Sequence, residues 1–72
     1  MKLHHGIVAE VDQKTKTGTI RFSSTLEYFF SASECENLEM PQVGTQVTFL
    51  RDPDFKSTPV AMQIKKSNLK VG

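Results

Sequence analysis

The chain has few of the features that mark several large classes of protein. It contains one cysteine, Cys35, in 72 residues, which excludes an internal disulfide and is typical of a reducing compartment. No apolar run approaches the ~20 residues of a membrane-spanning helix. The start, from Met1 to His5, has no hydrophobic region of a secretion signal. These absences predict a cytoplasmic protein with no membrane partner.

Excess charge of one sign is also absent. The chain has nine lysines and arginines and eight aspartates and glutamates, which gives a formal net charge of +1. Domains that bind nucleic acid mainly through basic charge generally have a pI above about 9. The composition therefore excludes a protein that depends on a strongly basic surface.

The residue patterns of enzyme sites are missing as well. The chain has no nucleophile with a partner base, no glycine-rich phosphate loop and no metal-ligand spacing around His4 and His5. Glutamates in the segment 34–39 are interpreted as a solvated loop, and Cys35 as a buried thiol. We expect a protein that is not an enzyme and has no cofactor.

Five short segments with strand-like composition alternate with polar turns. Their spacing predicts one all-β domain over residues 1–66, a small closed barrel of five antiparallel strands, followed by a tail at 67–72. The predicted strands are residues 3–11, 17–22, 27–31, 45–51 and 58–65. A bulge is expected within residues 6–9, and Ser33 with Glu36 suggests a capping box.

The hairpin formed by the second and third segments has two different faces. Alternation directs Ile20, Phe22, Tyr28 and Phe30 inward. It also directs Val47 and Phe49 of the fourth segment inward, and Val60, Met62 and Ile64 of the last segment. The outward positions are Thr17, Thr19, Arg21, Phe29 and Ser31, with Lys16 at the edge. Phe29 is the one aromatic residue directed outward, and it is either a stacking surface or covered by a loop.

The order of five motifs resembles a known domain. The segments GIVAEVD, TKTGTI, YFFSA, GTQVTF and PVAMQI begin at residues 6, 15, 28, 44 and 59. They are similar to the Gly-x-Val-Lys-Trp-Phe-Asn, Lys-Gly-Phe-Gly-Phe-Ile, Val-Phe-Val-His-Phe, Gly-x-x-Val-x-Phe and Pro-x-Ala-x-x-Val motifs of the cold-shock domain. The resemblance covers residues 6–66 and implies an OB-fold barrel that binds single-stranded RNA or DNA.

The chain departs from this family at the positions that bind. The family's stacking tryptophan is Glu10 here, two aromatic residues of its first motif are Thr17 and Thr19, and its histidine is Ser31. Only Phe29 keeps its ring. Each base–aromatic stack contributes ~1–3 kcal/mol, so losing three lowers affinity by at least about a hundredfold.

The resemblance implies a divergent cold-shock-like protein that binds single-stranded nucleic acid with weakened base stacking. The residues expected to bind are Lys14, Lys16, Thr17, Thr19, Arg21, Phe29, Ser31, Phe55 and Lys56. The alternative is an OB-fold module for protein interaction or self-association that has lost nucleic-acid binding, with a protein partner or a homodimer as the result.

Overall fold

A computed structural model describes residues 2–67. Five strands form the domain: β1 (His4–Asp12), β2 (Thr17–Ser23), β3 (Leu26–Ser31), β4 (Gln46–Arg51) and β5 (Ala61–Lys66). Short 3₁₀ turns at Ala32–Glu34 and Glu36–Leu38 lie between β3 and β4. No helix within the described residues is long and apolar enough to cross a membrane.

The strands form one curled sheet in the order β3-β2-β1-β4-β5, and neighbouring strands are antiparallel. The two outer strands approach each other through isolated parallel bridges, between Phe29 and Val60 and between Cys35 and Ile64. These bridges close the sheet into a barrel. The prediction of a five-stranded OB-type barrel is confirmed.

The core lies inside this curl and is made of side chains from all five strands. Phe49, Ile20, Val8 and Val47 are the largest fully buried side chains. Tyr28, Phe30, Cys35, Ala61 and Ile64 complete the core. The inward alternation predicted for the second, third and fourth strands is confirmed, and Cys35 is buried as expected.

Two inward-facing rings lie at the rim of the barrel. Phe22 remains partly exposed, although its ring makes an edge contact with Tyr28 at a centroid distance of 5.7 Å. His4 lies 5.1 Å from Phe22 and 5.6 Å from Phe49. These contacts give the shallow core of a small domain additional apolar area.

The bulge of β1 falls at Ala9, within the predicted segment. The register with β2 shifts between Val8, which is buried, and Glu10. An extra residue at this point changes the parity of the strand, so Val11 again packs on the core while Glu10 and Asp12 turn outward.

Two sequence expectations are wrong. No side-chain cap begins the 3₁₀ turns, so Ser33 and Glu36 do not form a capping box. In the last strand Ala61 and Ile64 are buried, whereas Met62 is only half-buried. The cause is an irregularity at Gln63, which has a φ of 53° and interrupts the alternation.

The tail predicted at 67–72 is described only at its first residue. Ser67 donates its amide to the carbonyl of Gln46, and 68–72 lie outside the described residues.

Candidate functional site

The outward side chains of β1, β2 and β3 form a surface that we call the outer face. Strand register arranges it in three rows, each with one residue from each strand. The rows are Ile7–Arg21–Glu27, Glu10–Thr19–Phe29 and Asp12–Thr17–Ser31. Neighbouring strands lie about 4.7–4.9 Å apart, so the residues of a row are direct neighbours.

Phe29 lies in the middle row at the edge of the three strands. Its side chain is 53% exposed, although its backbone amide donates a 2.8 Å hydrogen bond to the carbonyl of Pro59. The closing segment of the barrel therefore fixes the backbone of Phe29 without covering its ring. Of the two interpretations that the sequence left open, the exposed ring is the one observed.

A shallow groove of 600 Å³ runs beside Phe29 along the outer face. Glu10 and Thr19 of the same row line it, as does Lys14 from the turn that follows β1. The remaining lining residues are Val11, Asp12, Gln13, Thr17 and Gly18. The groove thus combines one aromatic ring with two carboxylates and one lysine, so the exposed ring, and not the charge of the groove, is what suits it to a nucleobase.

The hydroxyl groups of the outer face differ in their partners. Thr17 Oγ1 is 2.7 Å from Thr15 Oγ1, and Ser31 Oγ is 2.7 Å from Ser33 Oγ. Thr19 Oγ1 is buried and has no hydrogen-bond partner among residues 2–67. Buried polar atoms are usually paired, so Thr19 Oγ1 is an exception, and its burial keeps it from contact with a ligand in the groove.

Two lysines lie at one end of the outer face, in the turn between β1 and β2. Asp12 Oδ1 accepts hydrogen bonds from the amides of Lys14 at 2.9 Å and Thr15 at 3.3 Å. Lys16 has a φ of 58°, and its carbonyl accepts the amide of Ala32. The backbone of the turn is therefore fixed, while the side chains of both lysines remain exposed.

Arg21 lies in the row at the other end, where it has a competing partner. Its Nε is 3.6 Å from Glu27 Oε2, directly across from it on β3. Both side chains are exposed, and such surface pairs typically contribute only about 0–1 kcal/mol. The pair is weak enough for Arg21 to exchange Glu27 for a phosphate.

The loop between β4 and β5 carries the two remaining predicted residues, Phe55 and Lys56. The Arg51 guanidinium donates to their carbonyls at 3.4 Å and 3.1 Å. The loop leads into Pro59, whose carbonyl accepts a hydrogen bond from the amide of Phe29, so the loop lies beside the outer edge of β3. The ring of Phe55 is 48% exposed and lies on a different element from Phe29.

The structure thus brings five of the predicted residues together on the outer face, and places the other four in the two flanking loops. Whether they bind a ligand stays a prediction. Asp12 lines the groove although the sequence reasoning did not include it. Its signal was the bulge in β1, because an extra residue between Val8 and Glu10 turns both Glu10 and Asp12 outward instead of toward the core.

No protein-family model and no curated protein matches this chain. Among solved structures, it is similar to cold-shock domains 4–6 of Drosophila Unr, with a TM-score of 0.76 and 20% sequence identity. The match covers 99% of this chain and 29% of the Unr chain. The likeness shows the fold, which is the OB barrel of a cold-shock domain.

Proposed function

We propose that the chain binds single-stranded RNA or DNA on its outer face, with weaker base stacking than an ordinary cold-shock domain. The observation that supports this most directly is Phe29. A phenylalanine ring that is more than half exposed, beside a groove, on a cold-shock-type barrel is suited to stacking a base.

The other predicted residues take roles that follow from their positions. Lys14 and Lys16 contact phosphates at one end of the outer face, and Arg21 and Lys56 contact phosphates at the other end. Thr17 and Ser31 offer hydroxyl groups in the row beside the lysines, Thr19 lies between Phe29 and Glu10, and Phe55 provides a second ring from the loop. A single strand that crosses Phe29 in this direction contacts both groups of cations.

The magnitude of stacking sets the expected affinity. One aromatic stack contributes ~1–3 kcal/mol, and a second ring adds at most a similar amount. Glu10 lies in the same row as Phe29, with Thr19 between them, and its carboxylate adds repulsion toward phosphate. We therefore expect weak binding that is sensitive to salt.

The test is a titration of fluorescently labelled oligo-pyrimidine with the protein at low and moderate salt. Phe29→Ala is expected to weaken binding by about 5- to 150-fold, which corresponds to the ~1–3 kcal/mol of one stack. Ile7→Ala is the matched control, because Ile7 is an aliphatic residue of the same face with 46% of its side chain exposed. No binding at high micromolar protein in low salt would contradict the proposal.

A second candidate function is self-association through the same face. Ile7 and Phe29 are both about half exposed on the outer face, and apolar side chains exposed together can mark a protein interface. Size-exclusion chromatography with light scattering would then give a mass that rises with concentration. Ile7→Ala and Phe29→Ala would both reduce that mass, whereas only Phe29→Ala affects base stacking.

A further inference from the structure

Three carboxylates project from the outer face, and two of them have partners. Glu27 pairs with Arg21 at 3.6 Å, and Asp12 Oδ1 binds two amides of the adjacent turn. Glu10 is exposed and forms neither an ion pair nor a side-chain hydrogen bond with any of residues 2–67. Its carboxylate is therefore available to a ligand in the groove.

The position of Glu10 relative to Phe29 is fixed by strand register. Glu10 lies opposite Thr19, which lies opposite Phe29, and all three line the same groove. Two strand spacings of about 4.7–4.9 Å separate the backbones of Glu10 and Phe29 by roughly 10 Å. A base stacked on Phe29 therefore directs one edge across Thr19 toward Glu10.

An ionised carboxylate can only accept hydrogen bonds. Cytosine presents an amino donor at N4 and adenine one at N6, whereas thymine presents the acceptor O4 at the corresponding edge. Uracil has the same acceptor as thymine. Glu10 is thus complementary to the amino edge of cytosine or adenine. In uracil and thymine the single N3–H donor is flanked by two keto oxygens, which repel a carboxylate.

We propose that Glu10 makes the Phe29 site selective for bases that carry an exocyclic amino group, and against uracil and thymine. This inference rests on the proposed function and specifies its ligand. It differs from simple repulsion of phosphate by Glu10, which would lower the affinity for every base equally.

The experiment compares oligo-dC with oligo-dU of the same length, by fluorescence anisotropy at neutral pH and low salt. These probes carry the same backbone, and they differ at the edge that meets Glu10. Wild-type protein is expected to bind oligo-dC at least about fivefold more tightly, since a specific base contact provides roughly 1 kcal/mol or more of discrimination.

Two variants distinguish selection of the base by Glu10 from a general effect of negative charge on affinity. Glu10→Gln gives an amide that donates as well as accepts, so the ratio of the two affinities is expected to fall to within about twofold. Glu27→Gln removes the same charge from the same face, one row away, and is expected to keep the wild-type ratio.

The outcomes distinguish this inference from the function on which it rests. Equal binding of both probes by wild-type protein overturns the selectivity and leaves nucleic-acid binding in place. A ratio unchanged in Glu10→Gln, with both affinities raised together, shows that Glu10 only repels phosphate and also overturns it. Failure of both probes to bind overturns the inference together with the proposed function.

Discussion

Gly18 on β2 is a residue whose lack of a side chain is required by packing. A Cβ atom built there would lie 2.8 Å from the Phe30 ring and would overlap the carbonyl oxygen of Glu10. Phe30 is one of the core rings, and Glu10 is part of the groove. The absence of a side chain at Gly18 therefore leaves room for the Phe30 ring in the core and for the close approach of the β1 backbone at Glu10.

We predict that Gly18→Ala lowers the free energy of unfolding by about 1–3 kcal/mol, the usual cost of overpacking a core. Urea denaturation followed by tyrosine fluorescence would measure it. Thr17→Ala, at the exposed neighbouring position, is the control and should change stability by less than about 0.5 kcal/mol. Equal stability of Gly18→Ala and wild-type protein would show that β2 and β1 separate more easily than the structure indicates.

Cys35 supports a second prediction at the scale of one residue. Burial, and to a lesser extent the neighbouring Glu34 carboxylate, raises the pKa of the Cys35 thiol above its ordinary value. The thiol also donates to the carbonyl of Ser31 at 3.6 Å. Because the thiolate is the reactive form, a raised pKa leaves less of it at any pH below the pKa.

Native protein is therefore expected to react with a thiol reagent much more slowly than a free cysteine does at mildly alkaline pH. Protein in concentrated urea should react at the rate of an exposed thiol, and this serves as the internal control. Fast reaction of the native form would contradict the burial of Cys35 and would indicate a reactive thiol.

The fifth strand shows how a local irregularity alters an element. The pairing of β4 with β5 shifts register between Thr48 and Leu50. Gln63 has a φ of 53°. Its backbone amide donates a 3.3 Å hydrogen bond to Glu34 Oε1 instead of to a neighbouring strand. The parity of the strand changes there, so Ala61 and Ile64, three positions apart, both face the core.

This conformation gives a prediction about β5. A non-glycine residue at positive φ is strained, and a β-branched one more so. Gln63→Val should lower the free energy of unfolding by about 1–3 kcal/mol, whereas Gln63→Gly should leave it equal or raise it. Thermal unfolding of the two variants tests this, and greater stability of the valine variant would mean that β5 is a regular strand.

The strands that could be predicted from sequence are those in which alternation is unbroken. Ile20, Tyr28 and Phe30, like Val47 and Phe49, occupy their expected inward positions because their strands contain no bulge between them. The pattern Val60, Met62, Ile64 gave no sign of the positive φ at Gln63, since glutamine is not a residue that marks such a position. The capping box failed because its two residues fall in separate 3₁₀ turns.

At the scale of the molecule, the candidate site depends on how the barrel distributes charge. Sequence alternation alone placed Phe29 outside with Thr19 and Arg21, and this grouping is observed. It could not show that Arg21 faces Glu27, or that the β1 bulge turns Asp12 into the groove, because both depend on pairing between strands. The net charge of +1 is therefore the sum of a surface that has cations at both ends and one carboxylate in each of its three rows.

This distribution predicts a shallow salt dependence for binding. With at most four phosphate contacts, from Lys14, Lys16, Arg21 and Lys56, the slope of log K against log salt concentration should be no steeper than about −3, at ~0.7 per contact for a single strand. Replacing both Lys14 and Lys16 with Gln should reduce its magnitude by about 1.4. Titrations of one labelled oligonucleotide at several salt concentrations measure both slopes.

Lys65 provides the control for this prediction. It lies exposed on β5, outside the three strands of the outer face, and no part of the groove beside Phe29 includes it. Lys65→Gln removes the same charge and should leave the slope unchanged. If Lys65→Gln lowered the slope as much as either turn lysine does, the nucleic acid would follow a different surface of the barrel and the outer face would lose its role.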